Sequence, residues 1–237
     1  MDGIKILYTF ELPYLGQVVI TETVRNSFIV VLLILALCLI LTHKMEKIPR
    51  KMTQKAAEKL VLMTEKFVVS NMGSRWRAFT PYIMALFGSS IFGSLISLTS
   101  LRSVTADINV TLTWGVVTFI MIHFFSIRQK GVLGDLKGLL EPIPVLLPMN
   151  IISELATPVS MGFRHFGNAL AGTIISTLIY QALAGLTTLL FGIGIPFLQV
   201  GVPAVLSLYF DLFSGVMQAF IFCLLTMIYI SNATAEE

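Results

Sequence analysis

The sequence predicts an all-α polytopic membrane protein, a single membrane domain over 1–237 with five transmembrane helices and one amphipathic surface helix. Of its 237 residues, 56% are hydrophobic and 12% are charged, whereas about a quarter of the residues of a soluble domain are charged. The apolar residues form runs long enough to span a bilayer, and Lys and Arg collect between the runs. The net charge of +3 therefore indicates membrane topology and not nucleic-acid binding.

The apolar runs and the breaks between them define the predicted elements. In chain order these are an external or interfacial N-terminal segment 1–25, helix 1 at 26–43, the surface helix at 53–72, helix 3 at 79–101, helix 4 at 108–127, helix 5 at 148–190 and helix 6 at 200–231. Thr21, Glu22 and Thr23 supply N-cap chemistry before helix 1. Cys38 and Cys223 lie inside apolar runs, so we expect no disulfide, metal site or cofactor.

The segment 44–77 carries nine of the sixteen Lys and Arg residues, so we predict that it is cytoplasmic and that the N-terminus is outside. Its central part is predicted to be an amphipathic helix on the membrane surface, with a solvated charged helix as the alternative. The apolar residues near one face of that helix are Ala57, Leu60, Val61, Phe67 and Val68.

Helices 3 and 4 are predicted to form an out-and-back pair. Helix 3 is rich in Gly and Ser, which favours close helix packing. The link after it carries Arg102 and Asp107 and should be external, and Asn109 begins a polar lip on helix 4. Arg128 and Lys130 follow helix 4 and mark the cytoplasmic side. With five spans, the C-terminus is then cytoplasmic.

The last two helices are too long to cross a bilayer upright. Pro158–Leu190 contains no further proline and would be roughly 50 Å long as a helix, against about 30 Å of hydrocarbon. Each must be strongly tilted or broken at a glycine, and we predict that helices 5 and 6 form a strongly tilted antiparallel hairpin, with the turn at Gly192, Gly194 and Pro196.

Arg164 is the only Lys or Arg between Gly138 and the C-terminus. An arginine in mid-membrane costs at least about 2.5–3.5 kcal/mol and usually serves an ion path or a partner charge. Ser160, Arg164 and Asn168 are spaced four apart and share a helical face. Asp211 and Gln218 share a face of helix 6, so antiparallel packing would allow Arg164 to meet Gln218.

Carboxylates flank this arginine along the chain, which suits ion transfer. Glu154 lies ten residues before it toward the cytoplasm, and Asp211 lies toward the external turn. No second buried group could neutralise Arg164 cyclically, so we expect the missing carboxylate on another protein. The alternatives are a structural arginine paired with Asp211, and Asp211 as a capping acid. His165 points about 100° away from Arg164 and is expected to pack.

Several motifs resemble subunit a of F-type rotary ATP synthases. PVSMGFRHFGNALAG resembles the family's arginine signature and FSGVMQAFIFCLLTMIYIS its final helix. LRSVTADINVTLTWG resembles the link into its fourth helix, and PRKMTQKAAEKL its surface helix. The resemblance implies a stator that faces the c-ring of subunit c, with contacts to the peripheral stalk subunit b, the other synthase subunits and membrane lipid.

The resemblance also implies site roles. Arg164 matches the essential arginine, and Asn168 and Gln218 match its polar partners. Asp211 falls in the outer half-channel and Glu154 near the inner entrance. The further candidates are Ser160 for ion translocation and Asp107, Asn109 and Thr173 for the outer channel lining. His165 and Thr173 depart from the family pattern, which leaves Asp211 as the outer carboxylate and the ion, proton or sodium, open.

Two other functions remain open at this point. The chain could be a self-contained secondary transporter with Arg164 at its substrate site, or a structural assembly subunit. No phosphate loop, zinc motif or nucleophile elbow occurs, so we expect no catalytic site in this chain. The expected location is a bacterial cell membrane, with the N-terminus outside.

Overall fold

The structure is a computed structural model that describes residues 5–12, 16–47, 49, 51–99, 101–140, 143–191 and 208–234. Within these ranges it is helical, with one small two-stranded sheet. Five stretches are long and apolar enough to cross a membrane, namely Glu22–Thr42, Ser74–Thr99, Ile108–Leu140, Pro144–Leu190 and Leu212–Ala233. The predicted all-α polytopic fold with five spans is thereby confirmed.

The described part of the chain begins with a β-hairpin that was not predicted from the sequence. Strands β1 (Ile6–Leu12) and β2 (Gly16–Thr21) pair antiparallel within the segment predicted only as interfacial. The hairpin leads directly into helix α1 (Glu22–Thr42), four residues earlier than predicted. The N-cap prediction is confirmed, since the side chain of Thr21 accepts a hydrogen bond from the backbone N–H of Val24.

Helix α2 (Met52–Met72) occupies the predicted position of the surface helix. Only part of its apolar set is buried, since Ala57 and Val68 are buried while Leu60 and Val61 are exposed. The helix ends at Gly73, whose φ of 89° is accessible to glycine at little cost. A 3₁₀ turn, Ser74–Phe79, then leads into helix α3 (Thr80–Leu95).

Helix α4 (Ile108–Leu140) consists of two helical segments, the first of which extends only a few residues beyond the predicted end at 127. Its regular course is interrupted at Gly131, where φ is 77° and ψ is 167°. Such a conformation bends the chain sharply, and the residues beyond it come back against the span: Asp135 reaches His123, twelve positions earlier.

Helix α5 (Leu147–Phe191) has 45 residues and is therefore about 67 Å long. A short π-helical stretch, Leu208–Ser214, precedes helix α6 (Gly215–Ala233). Helices α5 and α6 run antiparallel where they meet, because Asn168 pairs with Gln218 while the later Thr173 lies near the earlier Ser214. The predicted turn at 192–196 and the start of helix 6 at 200 lie outside the described residues.

The core forms around α6, which packs against α2, α3, α4 and α5. Its buried residues Phe222, Cys223, Met227 and Ile230 meet apolar residues of α2 and α3, and Met161 of α5 joins the cluster. Helix α5 is held from one side by close contact with α4. A Cβ added at Gly115 would collide with the backbone carbonyl of Pro158, and one added at Gly162 would lie 2.9 Å from the Leu112 side chain.

Candidate functional site

The packing of α5 against α4 leaves the opposite face of α5 uncovered. On that face Val159 and Phe163 are exposed, as are the polar residues Ser160, Arg164 and Asn168. The three polar residues therefore share a face, as their spacing predicted. A largely apolar helix face with a cation in its middle is unusual for a membrane protein, because a cation at that depth is costly without a partner.

Within the part of the chain that the structure describes, Arg164 donates no hydrogen bond and joins no ion pair. Its guanidinium is permanently charged and carries five N–H donors in a planar fork. Because Arg164 is exposed, its fixed positive charge faces whatever lies against this side of α5. The side chain of Asp211 lies outside the described residues, so its proposed pairing with Arg164 has no structural test.

Asn168 makes a polar contact between α5 and α6. The Asn168 Nδ2 donates to the Gln218 Oε1 at 2.9 Å. Gln218 is only 3% exposed, and a buried amide needs such a partner to avoid a desolvation cost. Arg164 was expected to meet Gln218. Among the described residues the donor to Gln218 is instead Asn168, one helical turn further along α5.

A small polar cavity lies beside this hydrogen bond, between α5, α6 and the α3–α4 link. Its volume is about 30 Å³, and Asn168, Thr173 and Gln218 contribute to its wall. Thr173, predicted as a channel-lining residue, thus lies at a polar cavity, although its hydroxyl is donated to the carbonyl of Ala169 within its own helix.

The other two predicted lining residues are placed differently. Asp107 is buried and its Oδ1 accepts from the backbone N–H of Asn109 at 3.0 Å, which stabilises the first turn of α4. Asn109 itself is exposed. Neither residue contributes to the wall of the cavity. Asp107 therefore caps the N-terminus of α4.

His165 packs inside the protein, as its position on the helix predicted. It is 1% exposed and lies edge-on to the rings of Trp114 and Phe222, with centroid distances of 5.6 and 5.7 Å. Its Nε2 is 3.2 Å from the Ser90 Oγ. The hydroxyl partner on α3 was not predicted, because nothing in the local sequence says which helix α5 faces at this point.

Glu154 belongs to a cluster of three titratable side chains, separate from the polar cavity. The His123 Nε2 lies 3.6 Å from the Glu154 Oε1, and the His123 Nδ1 lies 3.1 Å from the Asp135 Oδ2. His123 thus bridges two carboxylates from different segments. Glu154 was predicted from the sequence as a site residue, whereas His123 and Asp135 were not. The only available signal was the glycine at 131, which permits the bend that brings Asp135 back.

Fold and site together define a polytopic helical membrane protein whose longest helix presents a lone arginine on an uncovered apolar face. The family model described as ATP synthase A chain matches residues 24–231, and the chain therefore belongs to the family of ATP synthase subunit a. It is accordingly an ion-translocating membrane subunit that functions within an ATP synthase.

Individual relatives agree with this assignment. ATP synthase subunit a of Moorella thermoacetica is 31% identical over 226 residues, which cover 94% of each chain. ATP synthase subunit a of Bacillus pumilus is 32% identical over 222 residues, covering 86% of this chain and 88% of the relative. The sodium ion specific subunit a of Propionigenium modestum is 39% identical over 137 residues, which cover 58% of this chain and 42% of the relative. These bacterial relatives and the apolar helices make the chain a multi-pass protein of a bacterial membrane.

Proposed function

We propose that this chain forms two offset half-channels against a ring of c subunits and couples ion flow through them to rotation and ATP synthesis. The observation that carries the proposal is Arg164, exposed and without a polar partner among the described residues, on the uncovered face of α5. A stator needs a fixed charge that faces its moving partner. A cation buried in its own subunit could not meet a passing carboxylate.

Arginine suits this task because its charge is permanent. Its planar guanidinium can also donate two parallel hydrogen bonds to one carboxylate. A ring carboxylate arriving with a bound ion is drawn to Arg164 in ionised form and releases that ion. The same charge repels a free cation, so ions cannot pass straight from one half-channel to the other. Ser160 and Asn168, on the same face, line the approach to it.

The half-channels lie on either side of Arg164 along α5. The inner one begins at Glu154, about 15 Å from Arg164 along the helix, where His123 and Asp135 supply further titratable groups. The outer one includes Thr173, Gln218 and the cavity beside them, with Asp211 as its carboxylate. The ring and the peripheral stalk subunit b are the proposed partners. The proposed orientation, from the loop cations, has the N-terminus outside and the C-terminus in the cytoplasm.

A self-contained transporter is less well supported by the same geometry. Its arginine would be expected to line an enclosed substrate site within the chain, such as the sites formed between helices of known transporter folds. Arg164 instead lies on an exposed face, and it does not contribute to the wall of the polar cavity. A structural subunit, in turn, would tolerate its replacement.

The experiment is to replace Arg164 in the assembled synthase and to measure gradient-driven ATP synthesis in vesicles. We expect Arg164→Ala to abolish coupled synthesis and Arg164→Lys to support it poorly, because a desolvated lysine can lose its proton and with it the charge. Lys59→Ala, an exposed cation on α2, is the matched control and should leave synthesis unchanged. Near-normal synthesis by an assembled Arg164→Ala complex would falsify the proposal.

A further inference from the structure

Helix α1 separates from the rest of the subunit in its second half. Its buried residues are Thr23, Asn26 and Val30, which all lie near its start. Across residues 31–40 only Ile34 is partly covered, and the others are exposed. Helix α1 therefore leaves a gap beside its last turns.

That gap is an apolar groove of about 380 Å³ between the end of α1, the middle of α2 and α3. Its wall is made largely of aliphatic and sulfur-containing side chains, such as Cys38 of α1, Val61 and Leu62 of α2 and Met84 of α3. Glu58 is the one charged residue in the described wall. A groove with this lining favours hydrocarbon over water.

Hydrogen bonds fix the end of the groove at the link between α1 and α2. The side chain of Gln54 is 4% exposed, its Nε2 donates to the Glu46 carbonyl at 2.6 Å and its Oε1 accepts from the Glu46 N–H at 3.1 Å. Met45, the neighbour of Glu46, lines the groove. The same Nε2 donates to the Glu58 Oε1 at 2.8 Å, so this carboxylate already has a partner within the protein. These bonds hold the groove in shape without a ligand.

The polar edge of the groove is strongly positive. Segment 44–55 contains five Lys or Arg and one Glu, and therefore has a net charge of +4. Lys51 and Lys55 lie seven and three residues before Glu58, which places them on its side of α2. Both lysines are exposed, and neither joins an ion pair among the described residues. An apolar groove bordered by such cations matches a molecule with a hydrocarbon chain and an anionic head.

We propose that this groove binds one anionic phospholipid, with an acyl chain between α1 and α2 and the phosphate group at Lys51 and Lys55. The inference goes beyond the proposed function, because it involves neither Arg164 nor the ring. Clusters of about four to eight cations next to a membrane-spanning helix attract anionic lipids. Lysine ammonium groups donate hydrogen bonds to the phosphate oxygens. The bound lipid connects the separated half of α1 to α2.

The dimensions of the groove favour a lipid chain over a helix of a partner protein. Two turns of an α-helix, about 10 Å wide and about 11 Å long, occupy roughly 800 Å³. The groove offers about 380 Å³, within the range of about 300–1,000 Å³ that is typical of small-ligand sites. A helix can lie across the groove but cannot fill it, and an apolar helix would leave the neighbouring cations without a partner.

The experiment uses the intact synthase in nanodiscs of phosphatidylcholine that contain a small share of a photoactivatable lipid. The probe is phosphatidylglycerol with a diazirine in one acyl chain, and phosphatidylcholine with the same chains is the comparison. Mass spectrometry after irradiation locates the modified residues. We expect the anionic probe to modify the groove about fivefold more than the comparison probe at low salt, and this preference to fall at about 0.5 M salt. Residues 31–33 of α1, which are exposed outside the groove, should show no preference.

One pair of variants tests the site of the phosphate group. The double variant Lys51→Gln and Lys55→Gln removes two cations and should bring the preference for the anionic probe close to one. Lys59→Gln is the matched control and should keep the full preference. Lys59 is an exposed lysine of the same helix, but it lies two positions after the groove residue Ala57 and therefore on the opposite face.

A second pair tests the site of the acyl chain. Cys38→Trp places a large side chain in the groove and should reduce labelling there by both probes. Ile40→Trp is the matched control, since position 40 is exposed and lies about 200° around α1 from position 38. If Cys38→Trp fails to assemble, the lysine variants decide alone, because they alter only exposed side chains.

Equal labelling of the groove by the two probes would overturn the inference, as would a preference that persists without Lys51 and Lys55. Absence of labelling by either probe would also overturn it, because a protein partner would then cover the groove. A phosphatidylethanolamine probe that labels as strongly as phosphatidylglycerol would reject the anionic class. None of these readouts requires ATP synthesis, so their outcome is independent of the test of Arg164.

Discussion

Helices α5 and α6 are adjacent and antiparallel, yet they use their apolar surface in opposite ways. In an apolar window of 18 residues within Leu212–Ala233, 39% of the residues are buried by the rest of the chain, against 6% in the corresponding window of Pro144–Leu190. The shorter helix α6 is enclosed by its own subunit. The longer α5 packs against α4 and α6 on one side and leaves most of its residues exposed.

The difference in burial between the two helices follows from the side chains on the face that each turns toward the subunit. The buried residues of α6 recur at helical spacing, including Ala219, Phe222, Thr226 and Ile230, so one face fits the core. Helix α5 meets α4 at glycines and buries few large side chains. Close backbone contact therefore fixes the position of α5, although little side-chain area is buried. Helix α6 therefore maintains the fold, whereas α5 presents a surface to a partner.

The largest expected effect comes from truncating matched phenylalanines on the two helices. Phe222→Ala on α6 removes a side chain that is 1% exposed and should destabilise the subunit by about 3–5 kcal/mol. Phe163→Ala on α5 removes one that is 50% exposed and should leave the fold intact while weakening binding of the ring. Thermal unfolding of the purified subunit and co-purification of ring subunits measure the two effects. Equal destabilisation by both variants would contradict the division of roles.

An intermediate effect should follow from separating α4 and α5. Gly115→Ala places a methyl group against the backbone carbonyl of Pro158, which cannot move aside like a side chain. We expect a loss of about 1–3 kcal/mol, typical of overpacking. Gly185→Ala is the matched control, because nothing lies near its added Cβ, and it should be neutral or gain about 0.5–1 kcal/mol. Unfolding temperatures of the two variants decide the point, and a stable Gly115→Ala would mean that the helix contact is not tight.

The smallest effect should come from the hydrogen bond between the two helices. Asn168→Ala deprives the buried Gln218 Oε1 of its donor at 2.9 Å, but the adjoining cavity can admit a replacement water. We therefore expect a loss of about 1 kcal/mol in subunit stability. Thr173→Ala is the control, since its hydroxyl bonds only within α5. If Asn168→Ala cost no more than Thr173→Ala, the contact would contribute nothing to the helix pairing.

Much of this arrangement could be predicted from the sequence, and the limits have physical causes. Length and apolarity predicted the five spans, and the isolation of Arg164 in the C-terminal hundred residues made it the central residue of the proposed site. The β-hairpin was missed because its short strands lie in a segment of mixed polarity. His123 and Asp135 were missed because their meeting depends on the bend at Gly131. The contact of Ser90 with His165 depends on helix packing, which local spacing does not determine.

The length of α5 has one more consequence. Its ends carry exposed apolar residues such as Ile152 and Leu189, so both should stay within the membrane and its headgroup region. A helix of about 67 Å confined to about 40–45 Å must lean by about 50° or more from the membrane normal. Each ångström of depth along it is then accompanied by at least about 1.2 Å of sideways travel. An ion that enters near one end of α5 and leaves near the other is therefore displaced sideways further than it is carried across, and circular motion of a partner can supply that sideways travel.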